Sequence, residues 1–216
     1  MKSLVLRYVI FTIGLFFLSL GVVFIVRSSL GTTPISSINY VLSLNTPLTL
    51  GTATFIINML LIVGQFWLIR GFGTTKDRAE ILLQIPFSFI FSAFIDLNMA
   101  LTATMTPPNY LWALATLAIG CLCQAVGVVL ELKPNVAIMS AEGFVKYASR
   151  RYGREFGRLK VCFDVSLVSL AVVCSLAFTG RIEGVREGSV VAALATGYLV
   201  TAISSFLPRV RAIITK

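Results

Sequence analysis

Six apolar runs set the terms on which this chain can fold. They cover residues 8–26, 53–69, 81–95, 111–130, 161–178 and 189–207, and about 17 to 25 residues of helix cross a hydrocarbon core. Five runs are long enough outright. The third, 81–95, reaches across only by borrowing Ala79, Glu80, Asp96 and Leu97, and its Gln84 and Pro86 call for protein or water along one side. With 57% hydrophobic and 12% charged residues, the chain lacks the polar face of a water-soluble domain. These features predict an all-α, polytopic membrane protein of six transmembrane helices, with the lipid bilayer as its first partner.

Charge sets the predicted orientation. Threading six spans puts fifteen of the 18 basic residues on one side, leaving only Arg27, Arg181 and Arg186 on the other. Lys and Arg in short loops mark the cytoplasmic face, so both termini are expected in the cytoplasm and the protein in a bacterial inner membrane. The first run, flanked by Lys2 and Arg7, has the outline of a signal peptide. Val26-Arg27-Ser28 offers no small-x-small cleavage site, however, and an uncleaved helix is the expectation. The net charge of +9 is a topology signal spread over loops, so no nucleic-acid partner is expected. Cys121, Cys123, Cys162 and Cys174 all fall inside apolar runs, and there is no histidine. The spacing excludes a zinc site, no metal or cofactor is expected, and the thiols read as small buried hydrophobes.

The chain also repeats itself. Shifted by 106 residues, 13–61 lies over 119–167 without a gap: Ile13-Gly14 meets Ile119-Gly120, Gly21-Val22-Val23 meets Gly127-Val128-Val129, Arg27 meets Lys133, and Asn58 meets Asp164. Each half, 1–105 and 106–216, reads as a long helix, a polar segment with a short helix, and two more helices. Three spans is an odd number, so the second half enters from the opposite side, and the halves form inverted repeats within one membrane domain, as in many secondary transporters. Duplication as a simple route to a larger protein is the alternative. Gly14, Gly21, Gly120, Gly127 and Gly197 are positioned to let helices approach closely.

Candidate site residues lie in the polar segments and at polar positions inside the runs. After the first run, Gly31 permits a turn, Thr33 can cap, and Pro34 suits the first position of a short helix over 34–43. Such a helix, carrying Ser36, Ser37 and Asn39, would aim free N–H groups towards the turn beside Arg27, an anion contact; an interfacial connector is the alternative. In the matching segment, which includes Lys133, Ser140 can cap a helix and Glu142 sits in its first turn. The basic stretch from Arg150 to Arg158 suits anionic headgroups. Asp164 lies within the fifth run, where a carboxylate costs about 2.5–3.5 kcal/mol. Either Lys160, one turn earlier, pairs with it as a structural salt bridge, or the residue is functional. Asn58 and Asp164 together suggest two half-sites flanking a central cavity. Glu131 and Asp96 are the acids near the bilayer edge. A cluster of Glu131, Lys133, Glu142, Lys160 and Asp164 would allow proton coupling. No Gly-x-Ser-x-Gly, Walker or His-Glu-x-x-His motif occurs, so the chain is not expected to be an enzyme.

Several segments carry a family resemblance: Ser29-Leu30-Gly31-Thr32-Thr33-Pro34 with Gly51, Ser140-Ala141-Glu142-Gly143-Phe144-Val145, the stretch from Glu155 to Ser166, and that from Glu183 to Val190. They resemble the YczE/YyaS/YitT group of bacterial integral membrane proteins, over nearly the whole chain. The resemblance implies a transporter-like architecture without an assigned substrate, and it brings no catalytic residues. Two departures stand out: Ser36 and Ser37 occupy positions where the group has an acid soon after the proline, and Gly188-Ser189 replaces its Gly-Thr. The first weighs against a cation site. The functional expectation is transport of a small polar or anionic solute by alternating access between the repeats. A non-transporting membrane partner or lipid-handling protein is the alternative.

Overall fold

The computed structural model describes residues 2–134 and 136–206, and among them every regular element is helical. In chain order the elements are α1 (Lys2–Arg27), α2 (Pro34–Asn45), α3 (Leu50–Leu68), α4 (Thr75–Leu101), α5 (Tyr110–Leu132), α6 (Ser140–Tyr152), α7 (Phe156–Thr179) and α8 (Glu187–Phe206). Asn135, in the polar segment after the fourth run, Leu207, at the end of the sixth, and Arg209, Arg211 and Lys216, three of the fifteen basic residues assigned to the cytoplasmic side, lie outside the described residues. Among the described residues, five helices, α1, α3, α4, α5 and α7, are long and apolar enough to cross a membrane. The third apolar run, short by sequence, becomes the 27-residue α4. Its polar flanks simply continue the helix. Leu60, Val63, Phe89, Leu111, Val173 and Leu194 stand more than half exposed, and lipid rather than water suits such surfaces.

Local chemistry sets the element ends. Thr49 accepts a hydrogen bond from the Thr52 N–H at 3.0 Å and starts α3, and Asn109 does the same for Trp112 at 3.0 Å to start α5. α6 and α7 stop at Gly153 and Gly180, both left-handed, at φ 60 and 66. α2 begins at Pro34, as the missing N–H of proline favours. Ser140 departs from its predicted role. Met139 occupies the cap position of α6 without a side-chain hydrogen bond, and Ser140 is already helical.

The chain divides into two compact units. The first joins Met1–Thr33, Phe94–Val136 and Glu183–Lys216; the second joins Pro34–Ala93 and Ala137–Ile182. Each therefore draws on both halves of the chain. In the first unit α1 and α5 run antiparallel with backbones nearly touching, because glycine stands at each crossing. A Cβ on Gly14 would lie 2.7 Å from the Glu131 nitrogen, and one on Gly120 would lie 2.9 Å from that of Ile25. Gly21 meets Gln124 and Gly127 meets Leu18 in the same way. Adding 106 to Gly14 and subtracting it from Glu131 turns the first contact into the second, and the other two exchange likewise. Gly197 has open space around it and takes no part in close packing, contrary to expectation. A cluster of Ile25, Leu30, Ala113, Leu117, Cys121 and Ala192 fills this unit's core. Of the four cysteines, only Cys121 is buried, and Cys162 is exposed.

In the second unit α2 packs against α3 and α7, and α6 packs against α7 and α3. Under the same shift of 106, α2 becomes α6 and α7 becomes α3, so this set of packings also maps onto itself.

Candidate functional site

Two helices of the second unit are too short to cross a bilayer. With 12 and 13 residues, α2 and α6 are about 18–20 Å long, against about 30 Å of hydrocarbon. Both end beside the middle of α3. Asn39 of α2 donates to the Thr54 hydroxyl at 3.1 Å, and the two helices form a hairpin closed by a short turn. Five residues back along α2 and four onward along α3, at about 1.5 Å each, bring Pro34 to the level of Asn58. α6 reaches the same level directly, since the Ser140 hydroxyl donates to Asn58 Oδ1 at 2.7 Å.

Asn58 is 4% exposed, and its Nδ2 has no partner. A buried donor left unpaired costs about 1–3 kcal/mol, so this amide is either a strain point or a waiting contact. Further buried polar groups lie on the same helices and on α4. Two turns along α3, Gln65 forms a reciprocal amide pair with Gln84 of α4, at 2.8 and 2.9 Å, and donates to the Ser140 carbonyl at 3.0 Å. A side chain at Gly143 would crowd this pair, because a Cβ would stand 2.7 Å from Gln65 Oε1 and 2.8 Å from Gln84 Nε2. Further along the Gln84 face of α4, Ser88 and Ser92 are buried, and their hydroxyls have no partner; the same holds for Asn39 Oδ1. Ser36 and Ser37 are buried on α2, Ser37 donating to the Pro34 carbonyl at 2.7 Å.

Charge enters from α7. Lys160 and Asp164 form an ion pair at 2.6 Å, each side chain about one-quarter exposed (25% and 27%), so the predicted salt bridge is present. Both act electrostatically on Glu142 in the first turn of α6. Desolvation pushes the Glu142 carboxyl above the usual range; Lys160 opposes this and Asp164 adds to it. Phe144 stacks on Phe163 at 5.5 Å and fixes this side of α6 against α7.

The far end of α6 is clamped by charge. Arg150 reaches both Asp77 oxygens, at 2.9 and 3.1 Å, while Lys146 and the Tyr147 hydroxyl contact Glu80 at 2.8 and 3.2 Å. Burial and the Glu80 charge raise the Tyr147 phenol well above its ordinary range. Arg151 donates to the Leu68 carbonyl at 2.8 Å and so satisfies the end of α3. The basic residues expected to meet lipid headgroups thus have protein partners at Arg150 and Arg151.

Seven of the predicted residues share this unit: Ser36, Ser37, Asn39, Asn58, Glu142, Lys160 and Asp164. Arg27, Glu131 and Lys133 belong to the other. There Arg27 donates to the Met99 carbonyl at 2.8 Å and closes the end of α4, Glu131 is buried, and Lys133 caps α5. The sequence reading missed Gln65, Ser88, Ser92 and Gly143. The four-residue spacing of Gln84, Ser88 and Ser92 was a usable signal, since it places all three on one helix face. Among the described residues no group of three His, Cys, Asp or Glu side chains is arranged to hold a metal.

A family model described as a family of unknown function (DUF6198) matches residues 5–205. No curated protein and no solved structure matches the chain.

Proposed function

The chain belongs to the DUF6198 family, and from the geometry of this member we propose that it is a six-span, inverted-repeat carrier for a small polar or anionic solute. The observation that carries this reading is the start of α6, which has no side-chain cap from Met139, lodged against mid-α3 beside the unpartnered amide of Asn58. Discontinuous helices whose N-termini meet a solute are a recurrent device of secondary transporters. The exchange of the α1–α5 contacts under a 106-residue shift supports the inverted repeat. So does the matching exchange of α2 and α6 partners. Kinship with the YczE/YyaS/YitT group is part of the same proposal, as is a bacterial inner-membrane location with both termini in the cytoplasm.

A membrane partner with no solute site has no use for buried unpaired hydroxyls and amides, each of which costs stability. The unpaired amide of Asn58, set beside the start of α6, therefore favours a site over a packing core. Reconstitution of the purified protein into liposomes tests this. Exchange of at least one labelled solute from a panel of small anions, amino acids and neutral polar compounds is expected, with Asn58→Ala reducing it about tenfold. No exchange across the panel would leave the membrane-partner or lipid-handling reading in its place.

A further inference from the structure

The charges around the start of α6 do not balance, and the imbalance identifies a ligand class. Lys160 and Asp164 cancel as a pair at 2.6 Å. α3 carries no ionisable side chain, and α2 carries only Tyr40. The remaining charges of α4 and α6 nearby are matched farther along, Asp77 with Arg150 and Glu80 with Lys146. Glu142 is left over. It sits in the first turn of α6, whose N–H groups receive no side-chain cap from Met139 and where the helix dipole favours one negative charge.

One anion fits there, not two. When ionised, the Glu142 carboxylate itself occupies the positive end of α6. When protonated, it leaves the first-turn N–H groups of Ser140 and Ala141, both buried, without that charge, beside Asn58, which Ser140 contacts and whose Nδ2 has no partner. A carboxylate has two oxygens in one plane and matches such a pair of donor groups.

We infer that this site takes a small monocarboxylate together with one proton, the proton held by the Glu142 carboxyl and the carboxylate by the α6 N-terminus and Asn58. The inference rests on the transport reading and specifies its solute and its coupling ion. The step balances simply: one proton moves from water to Glu142 as one anion enters, and both leave together. Net charge at the site is the same before and after.

Calorimetric titration of the purified full-length protein with acetate and lactate, against acetamide and lactamide, tests it. Two buffers of different ionisation enthalpy, at about pH 6 and pH 8, report the protons taken up. Carboxylates are expected to bind better than their amides, more tightly at the lower pH, with about one proton taken up per anion. Glu142→Gln mimics the protonated state and should bind at both pH values without proton uptake. Asn58→Ala should weaken binding about tenfold. Asn58→Asp, which keeps the acceptor for Ser140 but replaces the donor with a charge, should abolish it; a thermal-unfolding trace for each variant separates lost binding from lost folding. Carboxylates binding no better than amides, or no heat from either carboxylate, overturns the ligand class. Binding without proton uptake, or an unchanged pH dependence in Glu142→Gln, overturns the role of Glu142. Solute exchange in liposomes alongside any of these results leaves the carrier reading standing without this chemistry.

Discussion

At the scale of single residues, two neighbours in the α6 first turn bear on stability in different ways. Glu142 holds its proton more tightly in the folded protein than in the unfolded chain. As pH rises from the ordinary glutamate range through this raised value, the unfolded state gives up its proton first, and stability falls. Glu142→Gln removes that slope. In detergent, the melting temperature of the wild type is therefore expected to drop as pH rises above about 4.5, while that of the variant stays flatter. Equal slopes would mean that Glu142 is not desolvated. Gly143 acts through space alone, because a Cβ there meets both amides of the Gln65–Gln84 pair. Gly143→Ala should lower stability by about 1–3 kcal/mol, the cost of overpacking, read as an earlier melting midpoint. The need for glycine at 143 was not legible in sequence, since nothing local distinguishes it from the neighbouring helical residues. Gly14, Gly21, Gly120 and Gly127 were legible because their equal spacing in two long apolar runs has no other use.

Elements were easier to read than their partners. Composition and length gave α1, α3, α5 and α7, and Pro34 gave the start of α2. Two features of α6 escaped the sequence reading, namely how deep it sits beside α3 and what holds it there. Its basic residues have the composition of a headgroup contact, and only tertiary structure supplies Asp77, Glu80 and the α3 carbonyls as their partners. The clamp joins the C-terminal part of α6 to the N-terminal part of α4, and Asp77 is its most enclosed acid, with 10% of its side chain exposed. A charged hydrogen bond of this kind is worth about 1.5–3 kcal/mol. Asp77→Asn with Glu80→Gln should accordingly raise amide hydrogen exchange in α6 by about tenfold or more, with α1 and α5 unchanged. Unaltered exchange in α6 would show that Phe144 and Tyr147 hold the helix by packing alone.

For the whole molecule, parity of the span count decides between architectures. The 106-residue shift preserves the glycine contacts of α1 and α5 and exchanges the partners of α2 and α6; it also assigns α4 the counterpart α8. Among the described residues five helices meet the length and hydropathy of a span, and α8, Glu187–Phe206, is the sixth candidate. If α8 crosses, both termini share a side and the repeat is complete. If it does not, the termini lie on opposite faces and the second half lacks its third span. The distribution of Lys and Arg favours the first arrangement, because only Arg27, Arg181 and Arg186 would face outwards. Reporter fusions can read this directly. Green fluorescent protein is expected to fluoresce, and alkaline phosphatase to be inactive, when either is joined after Lys216, with the reverse pattern for fusions after Met105 in the α4–α5 connection. An active phosphatase at the C-terminus would give five spans. The proposed carrier would then lose its symmetry, although the polar groups of the second unit, on α2, α3, α4, α6 and α7, would remain. Six spans would instead tie the site to a repeat whose halves start from opposite faces, the arrangement on which alternating access depends.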